Sequence, residues 1–224
     1  MQSSQISNLY IITLVVMWVK KSSGMDKIIL KVRGLKEWEE NVYLEQLQKG
    51  VGGKYEKIVE DDGLITEIEW FLRSVVSDSY EHVIAKKAKT MKTVKFFLED
   101  TDENMMYVLD MGLNNSSMSI LNALDSVQEF GEIGIRFYSY RKDWEIKKWV
   151  VVMNNGEKLS WKHDYQTVIK PLLKEDGKGN LDKTGLHNFF IDISNDLKER
   201  VKKNDKAEIA EVDKVIDNQE EFDF

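Results

Sequence analysis

The 224-residue chain has no cysteine, one proline (Pro171) and three histidines. The missing cysteines exclude a disulfide framework, a thiolate metal centre and a cysteine nucleophile. His82, His163 and His187 are far apart and fall in no metal-ligand spacing, so each is expected to be structural or exposed. No Ser-His-Asp or paired-carboxylate arrangement stands out, and the turn-like Asp100, Asp102 and Glu103 do not read as a metal site. Long apolar runs are also scarce. Residues 9–19 (LYIITLVVMWV) make a run of eleven, about half of what a membrane-spanning helix needs. Lys20 and Lys21 follow this run, whereas a secretory signal carries its basic residues in front. A short anchor, a buried element or residues encoded upstream of the true start are the three readings. The expectation is that Met25 opens the natural protein, with no membrane role and a cytoplasmic setting in a bacterial host cell.

Hydrophobic residues are 42 % of the chain and charged residues 32 %, enough to bury a core in a globular body. The net charge is −7, which argues against a uniformly basic nucleic-acid binder, but the charge is unevenly placed. From Lys206 onward seven acids face two lysines, a net of −5, leaving −2 for the preceding 205 residues. The body is therefore near neutral and has room for a basic face. The acidic end closes on Phe222-Asp223-Phe224 at the free carboxylate.

Residues 27–32 alternate as a strand, and residues 38–48 suit a short helix or strand. The glycine-rich GVGGK at 50–54 lacks the spacing of a phosphate-binding loop and reads as a plain loop. Period-two patterning starts near residue 63. Leu64, Ile68, Trp70 and Leu72 share a face, opposite Glu67, Glu69, Phe71 and Arg73, and residues 77–79 break the run. A second strand alternates Val94, Phe96 and Leu98 against Lys95 and Phe97; residues 100–104 turn, and 105–111 form a third. Asn114-Asn115-Ser116-Ser117 is a helix start, and Ile120, Leu121, Leu124 and Val127 follow at helical spacing. Strands return with Ile133, Ile135 and Phe137 opposite Arg136, Tyr138 and Tyr140. The next strand includes residues 147–152, Asn154-Asn155-Gly156 makes a hairpin, and 158–162 (KLSWK) closes the set. After Pro171 and the polar residues 174–183, Leu186, Phe189, Phe190, Ile193, Leu197 and Val201 form one helical stripe. That helix packs on the body or makes a homodimer.

Three strands, a helix and two strands is the order of an OB-fold. The expected class is mainly β (α+β): an OB-fold-like five-stranded barrel with a helix between strands 3 and 4, a C-terminal helix and a disordered acidic tail. The divisions are an apolar extension at 1–24, a segment packing on the barrel at 25–62, the barrel at 63–170, loop and helix at 171–204, and the tail at 205–224.

The faces turned away from the core carry aromatics beside cations: Phe71 with Arg73, Phe97 with Lys95 and Lys92, and Tyr138 and Tyr140 with Arg136. Trp149 and Trp161 lie among Lys147, Lys148, Lys158 and Lys162. Single-stranded nucleic acid needs this mixture, since bases stack on rings and cations meet phosphates. The bland alternative is that other segments cover these rings. Glu145 and Lys147, with Asp110, admit a weaker reading as a metal-dependent nuclease. A barrel that binds protein as a structural or adaptor module is the other rival.

The tail NQEEFDF resembles the acidic, Phe-terminated tip of bacterial and bacteriophage single-stranded DNA-binding proteins. FFLEDTDE, YVLDMGLNNSSMSILNALDSV, GEIGIRFYSY and VVVMNNGEKLSWKHDY are similar to bacteriophage OB-fold members of that class, over about half of the chain. The resemblance implies a non-enzymatic protein that binds single-stranded DNA without sequence preference in replication or recombination, with no cofactor. It also implies that Glu220, Glu221, Phe222, Asp223 and Phe224 recruit polymerase, primase, helicase or recombination partners, and that the tip competes for the groove. The bacterial tip has a proline before its final Phe, which this tail lacks.

Overall fold

A computed structural model describes residues 28–32, 44–49, 55–57, 67–84, 87–142, 145–175 and 181–220. The apolar residues 9–19, the glycine-rich residues 50–54 and Glu221 to Phe224 lie outside them. Among the described residues no helix is long and apolar enough to cross a membrane.

Nine strands make one sheet. They are β1 (Ile28–Val32), β2 (Leu44–Lys49), β3 (Tyr55–Lys57), β4 (Glu67–Ile84), β5 (Lys87–Asp100), β6 (Met105–Gly112), β7 (Glu132–Lys142), β8 (Glu145–Asn154) and β9 (Glu157–Lys158). Their spatial order is β3-β2-β1-β6-β5-β4-β7-β8-β9. β1 and β6 run parallel; the other pairs in this sheet are antiparallel. β10 (Lys174–Glu175) and β11 (Leu181–Asp182) form a separate small ladder within the polar loop.

The five strands expected between residues 63 and 162 are present, with a helix between the third and fourth. The sheet they build is open. β6 gives its outer edge to β1, so no pairing joins β6 to β8 among the described residues. Several local readings change. β4 runs unbroken through residues 77–79, because β5 pairs with it from Phe71 to Ile84. The closing strand is only Glu157–Lys158; after Leu159 the chain turns away from the sheet.

The pivot of the sheet is a bulge in β4. Leu72 pairs with Leu98 and Ser74 with Phe97, so Arg73 is an extra residue. One extra residue inverts the side-chain alternation. Ile68 and Leu72 face the core before it, and Val75, three positions after Leu72, faces the core beyond it; all three are buried. The bulge also divides the partners of β4: Glu67 to Phe71 pair with β7, and Phe71 to Ile84 with β5.

Two helices cover one face. α1 (Asn115–Leu124) begins at Asn114, whose side-chain oxygen accepts from the Ser116 and Ser117 N–H groups at 3.0 and 3.3 Å. The Ser117 hydroxyl accepts from the Asn114 N–H at 2.9 Å, completing a capping box with serine in the usual Glu/Gln position. α2 (Thr184–Glu220) buries Leu186, Phe190, Ile193, Leu197 and Val201 along one stripe, matching the expected periodicity. Its backbone stays helical to Glu220, where the sequence pattern suggested disorder from residue 205. The core joins both helices to Val94, Phe96, Leu98, Leu109, Ile133, Ile135 and Val152. At the β8–β9 turn Asn155 and Gly156 take positive φ of 51° and 76°, the mirror-image turn that Asn-Gly favours. Asn154 and Asn155 side chains accept from the Gly131 and Glu132 N–H groups, both at 2.9 Å, and tie that turn to the start of β7.

Candidate nucleic-acid interface

Strand register divides the proposed binding residues into two groups. Phe97 lies opposite Ser74, whereas Arg136 lies opposite Glu67. Seven positions of β4 separate them, roughly 20 Å at the rise of a strand. One continuous path over Phe97, Arg136 and the tryptophans is therefore not a single compact site.

In the β4–β5 region the aromatic and cationic groups have partners within the protein. Arg73 donates through Nε to the buried Glu99 at 2.5 Å and through Nη1 to Asp205 of α2 at 3.2 Å. Its guanidinium also lies 5.4 Å from the centroid of the Phe71 ring. Beside this pair is a cleft of about 500 Å³ lined by Glu69, Glu99, Asp100, Asp102, Glu103 and Glu132. Those carboxylates repel a phosphate backbone. Lys92 reaches α2 and donates to Asn188 at 2.9 Å. Burial, then the nearby Lys92 and Lys183, hold the His187 imidazole below its ordinary pKa. Lys95 sits 4.0 Å from Asp78, and Phe97 is half-buried. Trp70 and Tyr107 stack at 4.1 Å on the edge of the acidic cleft. Burial and the Glu103 carboxylate, which accepts a hydrogen bond from the Tyr107 hydroxyl, push the phenol up to about 12.

The second region surrounds β8. Tyr138 pairs with Trp149, and Arg136 with Val151. Arg136 is exposed and Tyr138 half-buried. Tyr140 pairs with Lys147 and Ser139 with Lys148 along the same ladder, although these side chains lie outside the described residues. Trp149 stacks on Trp161 with centroids 6.3 Å apart and planes inclined by 17°. Each tryptophan remains 44 % exposed. Lys158 is exposed on β9, while Lys162 donates to Asp125 at 3.1 Å.

These tryptophans border a groove of about 400 Å³. Tyr165 continues the aromatic wall, Met118, Leu186 and Phe190 supply apolar lining, and Asn115, Ser116 and Ser119 of α1 provide polar edges. Tyr165 opens a short π-helical turn capped by Asp164, whose carboxylate accepts from Gln166 and Thr167 N–H at 2.9 Å each. These hydrogen bonds, those from Thr167 foremost, lower the pKa of Asp164 and keep it charged. The sequence pattern missed Tyr165 and Leu181. The Trp161-to-Tyr165 spacing of four and a lone leucine within a polar loop are the local signals for them.

Of the residues weighed for a nuclease, Glu145 and Lys147 share β8, but the two acids are not neighbours in the sheet. Asp110 is on β6 and Glu145 begins β8, four steps apart in strand order. Among the described residues no group of three His, Asp or Glu side chains is placed to hold a metal ion. Comparison with protein families, characterised proteins and solved structures finds no match for this chain.

Proposed function

We propose that the protein binds single-stranded DNA without sequence preference, through the groove beside Trp149, Trp161 and Tyr165. The supporting observation is the pair of parallel indoles, each nearly half exposed at an apolar groove. A flat ring open to solvent stacks on any base and contributes about 1 to 3 kcal/mol per base. Lys183 lines the groove and offers charge for the phosphates; Lys147 and Lys148 precede Trp149 on β8.

The strand order supports the same reading. The central strands pair as β6-β5-β4-β7-β8, with α1 joining β6 to β7. Joining the ends of that order would give the partly open barrel of an OB-fold, a fold used for oligonucleotides. We read the body as an opened form of that barrel, in which β1 has taken the place of the closing strand. The acidic end, from Glu220 to Phe224, then serves to recruit replication or recombination proteins, as in the bacteriophage proteins the sequence resembles.

Titration with an oligothymidine, followed by tryptophan fluorescence, tests the reading. Saturable quenching with micromolar or tighter affinity is expected. No quenching at low salt would leave the groove to a protein ligand. Deleting residues 218–224 is expected to preserve DNA affinity while abolishing recruitment of its protein partner.

A further inference from the structure

Trp161 lies on a loop with no strand partner, yet its ring is held parallel to Trp149. The source of that order is a buried carboxylate. Asp125 follows α1, and its side chain is only 6 % exposed. A carboxylate there meets the negative end of the helix dipole and loses most of its hydration, so helix formation gains nothing from it. Three basic groups converge on Asp125. Lys162 Nζ is at 3.1 Å, His163 Nε2 at 2.8 Å and Arg200 Nη2 at 2.7 Å. Two of these immediately follow Trp161. Arg200 comes from α2 and also donates to the carbonyl oxygen of Val127.

The neighbouring Asn122, buried in α1, holds the same loop by its backbone. Its Oδ1 accepts from the His163 N–H and its Nδ2 donates to the His163 carbonyl, both at 2.9 Å. The Lys162 N–H donates to the Asn122 carbonyl at 3.2 Å. Phe189 closes the far side, edge-on to the His163 ring at 5.0 Å.

The structure assigns Asp125 and Asn122 as positioning residues for the binding groove: they clamp residues 162–163 so that Trp161 completes a two-ring platform with Trp149. This clamp acts through Trp161 and touches no ligand. Its benefit to binding rests on the proposed use of the groove, but its effect on the indole pair does not. An ionised Asp125 only accepts hydrogen bonds, so Nε2 of His163 is the donor. Glutamine can supply an equivalent N–H, whereas alanine cannot.

Two stacked indoles give an exciton couplet in far-ultraviolet circular dichroism. Trp149→Phe defines the signal by abolishing it. In the full chain His163→Ala and Asn122→Ala are expected to lose most of the couplet, and His163→Gln to keep it. A folded His163→Ala protein with the wild-type couplet would overturn the assignment. Should that variant not fold, Lys162→Met replaces it. That side chain is 47 % exposed and supplies one of the loop's two side-chain tethers. A reduced couplet is then expected, and an unchanged one refutes the clamp. Oligothymidine affinity is measured in parallel, with a loss of about tenfold expected in His163→Ala. Loss of the couplet without loss of affinity would refute the groove as the DNA site and leave the clamp standing.

Discussion

The β4–β5 region and the β8 groove have nearly the same composition but opposite chemistry. Both place aromatic rings beside lysine or arginine in alternating strands. At the first, Arg73 is spent on Glu99, Asp205 and the Phe71 ring, and six carboxylates line the adjoining cleft. At the second, two indoles face each other with much of their area in water. A ring next to a cation in sequence is therefore a weak sign of a ligand site. A carboxylate that neutralises the cation can come from far along the chain, as Asp205 does for Arg73.

The largest expected contrast is in stability. Arg73→Met leaves Glu99 buried without its cation, and should cost about 2 kcal/mol in urea unfolding. Its affinity for an oligothymidine should be unchanged; a matching loss of affinity would erase the distinction between the two regions. A smaller effect is pH-dependent. Tyr107 has its folded pKa raised from 10.0 to about 12, so the folded state favours the neutral phenol. Its contribution is complete below pH 10 and is lost as pH rises from about 10 towards about 12. Tyr107→Phe should flatten that part of the stability profile, and an identical fall in both proteins would show that the acidic cleft does not govern it. The smallest effect is on salt dependence. With few cations at the groove, log affinity against log salt should have a slope of only about −1 to −2. A much steeper slope would mean that phosphate contacts, not stacking, dominate.

Much of the fold was legible in the chain. The alternation of Val94, Phe96 and Leu98, the Asn114 cap and the stripe from Leu186 to Val201 are local signals, and each appears where the pattern put it. The bulge was not legible. Leu72 and Val75 are both buried, a three-residue step that reads as the end of a strand until the extra residue is recognised. Closure of the sheet was equally hidden, because it depends on which strand takes the edge of β6, and β1 is about 75 residues away in sequence. Trp149 and Trp161 were found as site candidates from their lysine neighbours. Their stacking was not, since it depends on Asp125 and Asn122, two α1-end residues that carry no aromatic or basic signature.

The most direct test compares Trp161→Ala with Phe97→Ala in the same oligothymidine titration. The account predicts about a tenfold loss of affinity for the first and wild-type affinity for the second. Wild-type affinity in Trp161→Ala, or an equal loss in both, would contradict the placement of the DNA on the β8 groove.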